Sequence, residues 1–344
     1  MGKSTWWRWT VAGALTAAVA CFPGAGGEID FERGELAQFE DCDSLHGELQ
    51  RRALREAESW SYLAVTGGTF TRPGYAANEP GDVSPTNNQE RGVDEADIFK
   101  WNDGAVYALH GPDLVIADTS GVLSTTALGG QPYEMHVDAG RVLVMSVSDR
   151  AEVKEHFTAA PDRDSGMPVI KATVLDVADR RAPKVVRELL FEGEVIGTRR
   201  IGDAVHIAAR AALGGPPAEL EPSGDEHWLT RRNQIIKSAG IDSWLPSYYD
   251  KTSGKVHRAS CQDTYVSGAA SGDGAVTLYS LSLSDVGRDQ VESTTVIGDG
   301  AQLYASTRSL VIALPAEENV GESFQEDTPS SGANQVTWVH RFSL

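Results

Sequence analysis

Three carboxylates, Asp94, Glu95 and Asp97, fall within four residues just before a short apolar run. Carboxylate oxygens ligate Ca²⁺, and two acids held close together raise the pKa of one of them. The opposing interpretation is that these side chains are solvated or form hydrogen bonds in a turn, as short acidic runs usually do. We favour this second interpretation and keep the three acids only as weak metal-binding candidates, so that no metal site is predicted.

No other pattern in the sequence specifies a reaction. The chain lacks the HExxH, GxSxG, Walker and CxxC signatures of zinc, serine-nucleophile, nucleotide and dithiol chemistry. Its histidines include no pair at the i, i+4 spacing. We therefore predict no catalytic residue and no cofactor. An enzyme would need ionisable groups from several strands to meet at one place, for example Asp94 with Asp176 or His206.

The N-terminus predicts export. Two basic residues, Lys3 and Arg8, precede a short apolar run that ends in small residues at Ala18, Val19 and Ala20. This order of a basic, an apolar and a small-residue region is typical of a secretory signal, and the run is too short to span a bilayer. We assign residues 1–20 to a signal peptide and residues 21–35, which are rich in Gly and Pro, to a tether.

The three cysteines have two predicted roles. Cys21 directly follows the small residues and resembles the lipidated cysteine of a bacterial lipobox, which would anchor the protein to a membrane through acyl chains. The alternative is plain cleavage after Ala20 and free secretion. Cys42 and Cys261 remain, and two cysteines in an exported chain usually pair. We predict a disulfide between them.

The remaining elements are mostly short strands. Residues 97–101 and 105–109 flank an Asp-Gly turn at Asp103-Gly104, which is typical of a β-hairpin. The pattern returns near residue 300, where a second Asp-Gly is again followed by a Leu-Val-Ile-Ala run. Repeated four-strand units predict an all-β fold of β-propeller blades, about four to five of them, within residues 92–344.

Two segments interrupt the strand pattern. Apolar residues recur at helical spacing over 31–64, with Asp43-Ser44 as the expected N-cap, so residues 36–91 are assigned to an N-terminal helix and a connector. A second helical pattern lies inside a predicted insertion at about 211–262. The aromatic residues of the insertion could bind a ligand, but we favour packing against the blades. These residues are Trp228, Trp244, Tyr248 and Tyr249.

The run TNNQERGVDEADIFK at residues 86–100 resembles the phrase TNxQxxGVDEADIxK that opens the first blade of secreted β-propeller domain proteins of bacteria and archaea. The segments around Cys42, around the Trp244-Leu245-Pro246 run and around Cys261 also resemble that family. The resemblance extends from about residue 36 to the end and implies the blade fold without implying a reaction. Family members usually continue through further blades, so it also implies a partial ring.

We therefore expect an exported binding or scaffold protein of the cell envelope. Its partner would be a protein or polysaccharide on the loop face of the blades, because loops on a rigid scaffold usually carry function. The alternative is an extracellular hydrolase or lyase with acids at the propeller channel. A net charge of −19 argues against nucleic acid and anionic lipid, so we expect membrane contact only through Cys21.

Overall fold

The computed structural model describes most of the chain from residue 36 onward. The described residues are 10–11, 36–66, 90, 92–138, 140–148, 169–212, 227–267, 274–287, 290–298, 302–318 and 334–343. Cys21 and the predicted tether lie outside them, as does the predicted signal peptide except for Thr10 and Val11. Among the described helices, none is both long and apolar enough to cross a membrane.

The elements follow one another along the chain as strands with two α-helices. The first half contains β1 (Thr10–Val11), β2 (Leu36–Gln38), α1 (Cys42–Thr66), β3 (Val93–Glu95), β4 (Phe99–Asn102), β5 (Ala105–His110), β6 (Asp113–Asp118), β7 (Gly121–Ala127), β8 (Gln131–Asp138), β9 (Arg141–Val147), β10 (Val169–Asp176) and β11 (Lys184–Glu192). The second half contains β12 (Glu194–Ile201), β13 (Ala204–Ala212), α2 (Trp228–Ser238), β14 (Ser247–Asp250), β15 (Lys255–Arg258), β16 (Thr264–Ser267), β17 (Gly274–Ser282), β18 (Glu292–Ile297), β19 (Gln302–Ser306), β20 (Ser309–Glu318) and β21 (Asn334–Ser343). Short 3₁₀ helices cover Ile241–Ser243 and Cys261–Asp263.

The strands form four sheets, within the predicted range of four to five blades. Sheet 1 has the order β4-β5-β6-β7, and sheet 2 has the order β8-β9-β10-β11-β14-β15. Sheet 3 has the order β3-β12-β13-β17-β18-β16-β2, and sheet 4 has the order β19-β20-β21-β1. Most pairs join antiparallel strands that are neighbours in sequence, as expected for propeller blades. Only β16 and β18 pair in parallel within the described sheets.

The hairpin between β4 and β5 confirms the predicted Asp-Gly turn. Asn102 pairs with Ala105 across Asp103 and Gly104, whose φ angles are 46° and 76°. Two successive residues at positive φ form the turn type that matches the right-handed twist of the strands. Asp tolerates this region better than most residues, and Gly enters it without steric cost.

Apolar layers between consecutive sheets hold the blades together. Sheet 1 packs on sheet 2, sheet 2 on sheet 3, and sheet 3 on sheet 4. Each inner sheet uses both of its faces, which explains its nearly continuous apolar strands, such as β10 and β17. The arrangement is an arc of four radial blades, and no described apolar layer joins sheet 4 back to sheet 1.

The predicted N-terminal helix begins later than expected. Residues 36–38 form β2, which pairs with β16 at the outer edge of sheet 3. The helix α1 starts at Cys42, and its cap is Asp41 instead of the predicted Asp43-Ser44, because Asp41 Oδ1 accepts the Ser44 backbone N–H at 2.8 Å. The predicted disulfide is confirmed: Cys42 bonds Cys261, with their Cα atoms 5.3 Å apart.

The insertion between β13 and β17 contains strands as well as the expected helix. Its hairpin β14–β15 extends the outer edge of sheet 2, and β16 extends sheet 3, so the insertion joins two blades. The helix α2 packs against α1 in a separate apolar cluster. Its buried members are Phe39, Leu45, Leu49, Ile236, Trp244, Leu245, Ala259, Val266 and Ile297.

Candidate functional site

Glu90 and residues 92–98 contact all four sheets. Glu90 accepts a hydrogen bond from the Tyr304 hydroxyl of sheet 4 at 2.6 Å. Strand β3 then pairs with β12, the innermost blade strand of sheet 3. Asp97 forms an isolated bridge with Met135 of sheet 2 before the chain enters sheet 1. We call these residues, Glu90 and 92–98, the axial segment.

Asp94 lies at the centre of an ionic cluster that this path creates. Its Oδ1 lies 2.8 Å from Lys100 Nζ, and its Oδ2 lies 3.3 Å from both His136 Nδ1 and Arg200 Nε. Lys100 belongs to sheet 1, His136 to sheet 2 and Arg200 to sheet 3. One carboxylate of the axial segment therefore binds side chains from three blades.

Besides the ionic cluster, a line of hydrogen bonds extends from Asp94 into the interior of the protein. The imidazole of His136 contacts Asp94 through Nδ1 and Thr198 Oγ1 through Nε2, the latter at 2.9 Å. Thr198 Oγ1 lies 2.9 Å from Glu134 Oε1. His136 and Thr198 are buried, with exposures of 0% and 1%. Three separate strands thus supply, in this order, an acid, an imidazole, a hydroxyl and a second acid.

Burial and hydrogen bonding set the protonation states of the residues in this line of hydrogen bonds. Burial raises the pKa of Glu134 to about 7, although its hydrogen bond with Thr198 acts in the other direction. Burial also lowers the pKa of His136. Burial opposes ionisation of Asp94, but hydrogen bonds from His136 and Lys100 outweigh it and hold the pKa of Asp94 well below its usual range. Near neutral pH the line therefore holds an ionised Asp94, a neutral His136 and a Glu134 that is close to half-protonated.

The three predicted metal-binding candidates do not act together. Asp94 and Glu95 are neighbours in a strand, so their side chains point to opposite faces. Glu95 contacts Arg199 at 3.5 Å, and Asp97 Oδ1 accepts the Ile98 backbone N–H at 2.7 Å. Within the described ranges, no group of three His, Cys, Asp or Glu side chains is arranged to hold a metal ion.

Asp176 and His206, named as possible partners of Asp94, lie elsewhere. Asp176 forms an ion pair with Arg141 at 2.7 Å at the ends of β9 and β10. His206 is buried in sheet 3 and bonds Ser280 Oγ at 2.9 Å. The three ionic partners of Asp94 described above do not include either residue.

The central polar residues Glu134, His136 and Thr198 were not singled out in the sequence. A signal was present, since Glu134 and His136 stand two residues apart in a strand and therefore share a face. Polar residues on one face of the innermost strand of a blade indicate an axial position. A single strand does not reveal which residues of the other blades lie opposite.

The aromatic residues of the insertion pack against the blades, in line with the favoured interpretation. Trp228, Trp244 and Tyr248 are buried. Tyr248 contacts the rings of Phe191 and Tyr279, and its hydroxyl accepts the Val291 backbone N–H at 2.8 Å. Tyr248 belongs to the apolar layer between sheets 2 and 3, and Trp244 belongs to the cluster beneath α1.

A groove of about 650 Å³ lies between sheets 1 and 2, away from the ionic cluster. Arg180 crosses it and donates to the Tyr107 hydroxyl at 3.2 Å and to Asp103 at 2.9 Å. It is lined mainly by turn residues, and none of the cluster residues Asp94, His136 or Thr198 reaches it. It offers a polar surface without an arrangement of reactive groups.

Radial sheets of mainly antiparallel strands around an axial segment define a β-propeller. Residues 83–344 match the family described as "Beta propeller domain", so the chain belongs to that family. None of the curated proteins matches the chain.

Among solved structures, the chain is similar to a crystal structure of the N-terminal domain of Nup159, with 10% identity, a TM-score of 0.28 and coverage of 72% of this chain and 58% of that chain. It is also similar to a structure of S. cerevisiae dbp5 bound to nup159, with 10% identity, a TM-score of 0.27 and coverage of 71% and 57%. The chain thus spans less than two thirds of either relative. Likenesses this distant carry no functional argument.

Proposed function

We propose that this protein is an exported β-propeller that binds a protein or polysaccharide of the bacterial cell envelope and performs no catalysis at its axis. The observation that carries the proposal is that the side chains of the central cluster bind one another. Asp94 is bound by His136, Lys100 and Arg200, and the hydroxyl of Thr198 lies between two hydrogen-bonding partners. The groups that could react are used in holding the blades together.

Burial supports a structural role for these groups. A nucleophile or general base must come within about 3 Å of its substrate. Thr198 and His136 are almost fully inaccessible, and the side chain of Asp94 is 19% exposed. The surfaces that remain for recognition are the loops and outer faces of a rigid set of blades.

Export and envelope location rest on the sequence. The basic, apolar and small-residue regions before Cys21 support secretion, and the Cys42–Cys261 disulfide fits an oxidising compartment. Lipid on Cys21 would hold the protein at a membrane, which its negative charge would not do by itself. Intact-mass spectrometry of membrane-extracted protein tests this: a diacylglyceryl cysteine at residue 21 is expected, and a full-length chain retaining residues 1–20 would contradict export.

The binding function is tested with the purified chain and immobilised envelope polysaccharides and peptidoglycan fragments. Saturable binding without change in the ligand is expected, and it should persist in Thr198→Val, which removes only the central hydroxyl. Ligand cleavage that depends on Thr198 or Glu134 would contradict the proposal.

A hydrolase or lyase is the second candidate, and the convergence of Asp94, His136 and Glu134 favours it. A carboxyl with a pKa of about 7 suits a general acid or base. Opening of the axial segment would be needed to admit a substrate. Release of reducing ends or unsaturated sugars by the wild-type chain, lost in Glu134→Gln and kept in Glu95→Gln, would establish it in place of the binding proposal.

A further inference from the structure

The groove between sheets 1 and 2 has walls that hydrogen bonds hold in place. One wall is the turn that connects β10 to β11. Arg180 of this turn donates to the Tyr107 hydroxyl at 3.2 Å, and the Arg180 carbonyl accepts a hydrogen bond from Ser124 Oγ at 2.7 Å, so the turn is fixed to sheet 1. The Val177 backbone N–H donates to the Gly140 carbonyl at 2.9 Å. The groove encloses about 650 Å³, which is within the size range of ligand sites in proteins.

The same turn is also stabilised from within. Asp176 Oδ1 accepts the Ala178 backbone N–H at 2.9 Å, and Asp179 Oδ1 accepts the Arg181 backbone N–H at 3.0 Å. Aspartate side chains that bind the backbone two residues further on are a standard way of fixing a turn. A wall that is ordered before the ligand arrives loses little conformational entropy on binding, which favours affinity.

Polar groups on the rim of the groove have hydrogen-bonding capacity to spare. Asp118 and Asp179 each use Oδ1 for hydrogen bonds within their own turns, and within the described ranges the Oδ2 atom of each has no hydrogen-bond partner. The Asn102 amide makes only a long contact of 3.5 Å, from Nδ2 to a main-chain carbonyl. The exposed guanidinium of Arg181 also lines the groove. Acceptors and donors therefore stand side by side around one cleft.

The charges that line the groove nearly cancel. Its carboxylates belong to Asp103, Asp118 and Asp179, and its cations belong to Arg180 and Arg181, so three negative charges face two positive ones. A strongly charged polymer of either sign would meet repulsion as well as attraction over a short distance. The groove therefore suits a ligand without net charge.

The floor of the groove is apolar. Leu123, Val137 and Val177 line it and belong to the apolar layer between sheets 1 and 2. A purely apolar ligand would desolvate the polar rim without replacing its hydrogen bonds with water. A sugar ring fits both parts, because its C–H groups can lie on the floor while its hydroxyls, which donate and accept, bind the carboxylates, the amide and the guanidinium.

We infer, on the basis of the proposed function, that this groove is the binding site of the protein and that its ligand is an uncharged oligosaccharide segment of an envelope polysaccharide. Asn102, Asp118 and Arg181 bind sugar hydroxyls at the rim. The site lies on the short turns of sheets 1 and 2, away from the ionic cluster of Asp94.

The test is titration calorimetry of the purified full chain with oligomers of N-acetylglucosamine, glucose and mannose. Saturable binding of at least one of these uncharged probes is expected. Its dissociation constant should change less than about twofold between about 50 and about 500 mM NaCl, because the ligand carries no charge to screen. Polygalacturonate and polylysine, the charged probes, should bind at least about tenfold more weakly.

Two substitutions assign the binding to the groove, each with a matched control. Ala178→Trp fills the groove and should abolish detectable binding, whereas Ala182→Trp adds the same side chain to the same turn outside the groove lining and should change the dissociation constant less than about twofold. Arg181→Ala should weaken binding by about tenfold, the effect of one hydrogen bond from a charged donor. Arg308→Ala removes the same charge from an exposed turn of sheet 4 and should bind as the wild type does.

Thermal unfolding of the four variants checks that the fold is intact, and exposed positions should leave it nearly unchanged. Equal binding by Ala178→Trp and Ala182→Trp would overturn the groove as the site and leave the proposed function standing. Binding only to charged polymers, only to an envelope protein, or to no uncharged probe at millimolar concentration would overturn the inferred ligand. Failure of the proposed function is distinct from these results, since it requires cleavage of the ligand or no binding to any immobilised envelope material.

Discussion

Thr198 Oγ1 lies 2.9 Å from His136 Nε2, and this hydrogen bond joins the innermost blade strands of sheets 2 and 3. Thr198 has one proton to donate, so its two neighbours compete for it. When Glu134 is protonated it donates to Thr198, and Thr198 donates to His136. When Glu134 is ionised, the Thr198 hydroxyl turns toward it, and His136 must present an N–H instead. The charge of Glu134 is therefore coupled to the protonation of His136.

The first prediction concerns the pH dependence of stability. The pKa of Glu134 is about 7 in the folded chain, against an ordinary value of 4.5. Between these values the folded state holds a proton that the unfolded state has released, so this residue lowers stability as pH rises, by on the order of 3 kcal/mol in total. The Glu134→Gln variant should gain stability relative to wild type from pH 4.5 to 7, measured by urea unfolding.

The His206→Asn variant is a control in which the effect of pH on stability has the opposite sign. Burial lowers the pKa of His206 to about 4, so the wild type loses stability as pH falls from 6.5 toward 4. Its substitution should therefore give a relative gain at the acidic end of the same range. A constant difference between Glu134→Gln and wild type across the range would show that Glu134 is ionised in the folded protein.

The second prediction concerns the disulfide that fixes α1 to the insertion. Cys42 and Cys261 are 219 residues apart, and cross-linking a long loop restricts the unfolded chain. Replacing both with Ser should lower the free energy of unfolding by about 2–5 kcal/mol. Reductant should destabilise the wild type similarly and leave the double variant unchanged. Equal stability of the two chains under oxidising conditions would contradict this role.

The third prediction concerns a buried ion pair between sheet 2 and the insertion. Arg187 Nη2 and Nε lie 3.0 and 3.2 Å from Asp250 Oδ2, and both side chains are less than 5% exposed. Asp250→Ala leaves a buried, unpaired guanidinium and should cost about 3–5 kcal/mol in chemical unfolding. Asp242, which is 73% exposed and pairs with Arg258 at 3.8 Å, is the control. Asp242→Ala should cost less than about 1 kcal/mol, and similar losses for the two variants would contradict the assignment.

Local chemistry allowed part of this architecture to be predicted. The Asp103-Gly104 turn requires positive φ angles, so its sequence indicates the hairpin directly. The disulfide followed from the count of cysteines once Cys21 was set aside. The β14–β15 hairpin was missed because its short strands extend a sheet formed by distant residues. The contacts of Asp94 with His136 and Arg200 depend on how three blades meet, which periodicity within one strand does not specify.

The central claim is that Asp94 of the axial segment holds the blades together, and its substitution tests this most directly. Asp94→Ala leaves Lys100 and Arg200 without their shared carboxylate, whereas Glu95→Ala removes the longer contact with Arg199. The measurement is the free energy of unfolding of the two variants at pH 7. We predict a loss of about 2–4 kcal/mol for Asp94→Ala and less than about 1 kcal/mol for Glu95→Ala. Equal stability of Asp94→Ala and the wild type would contradict the claim.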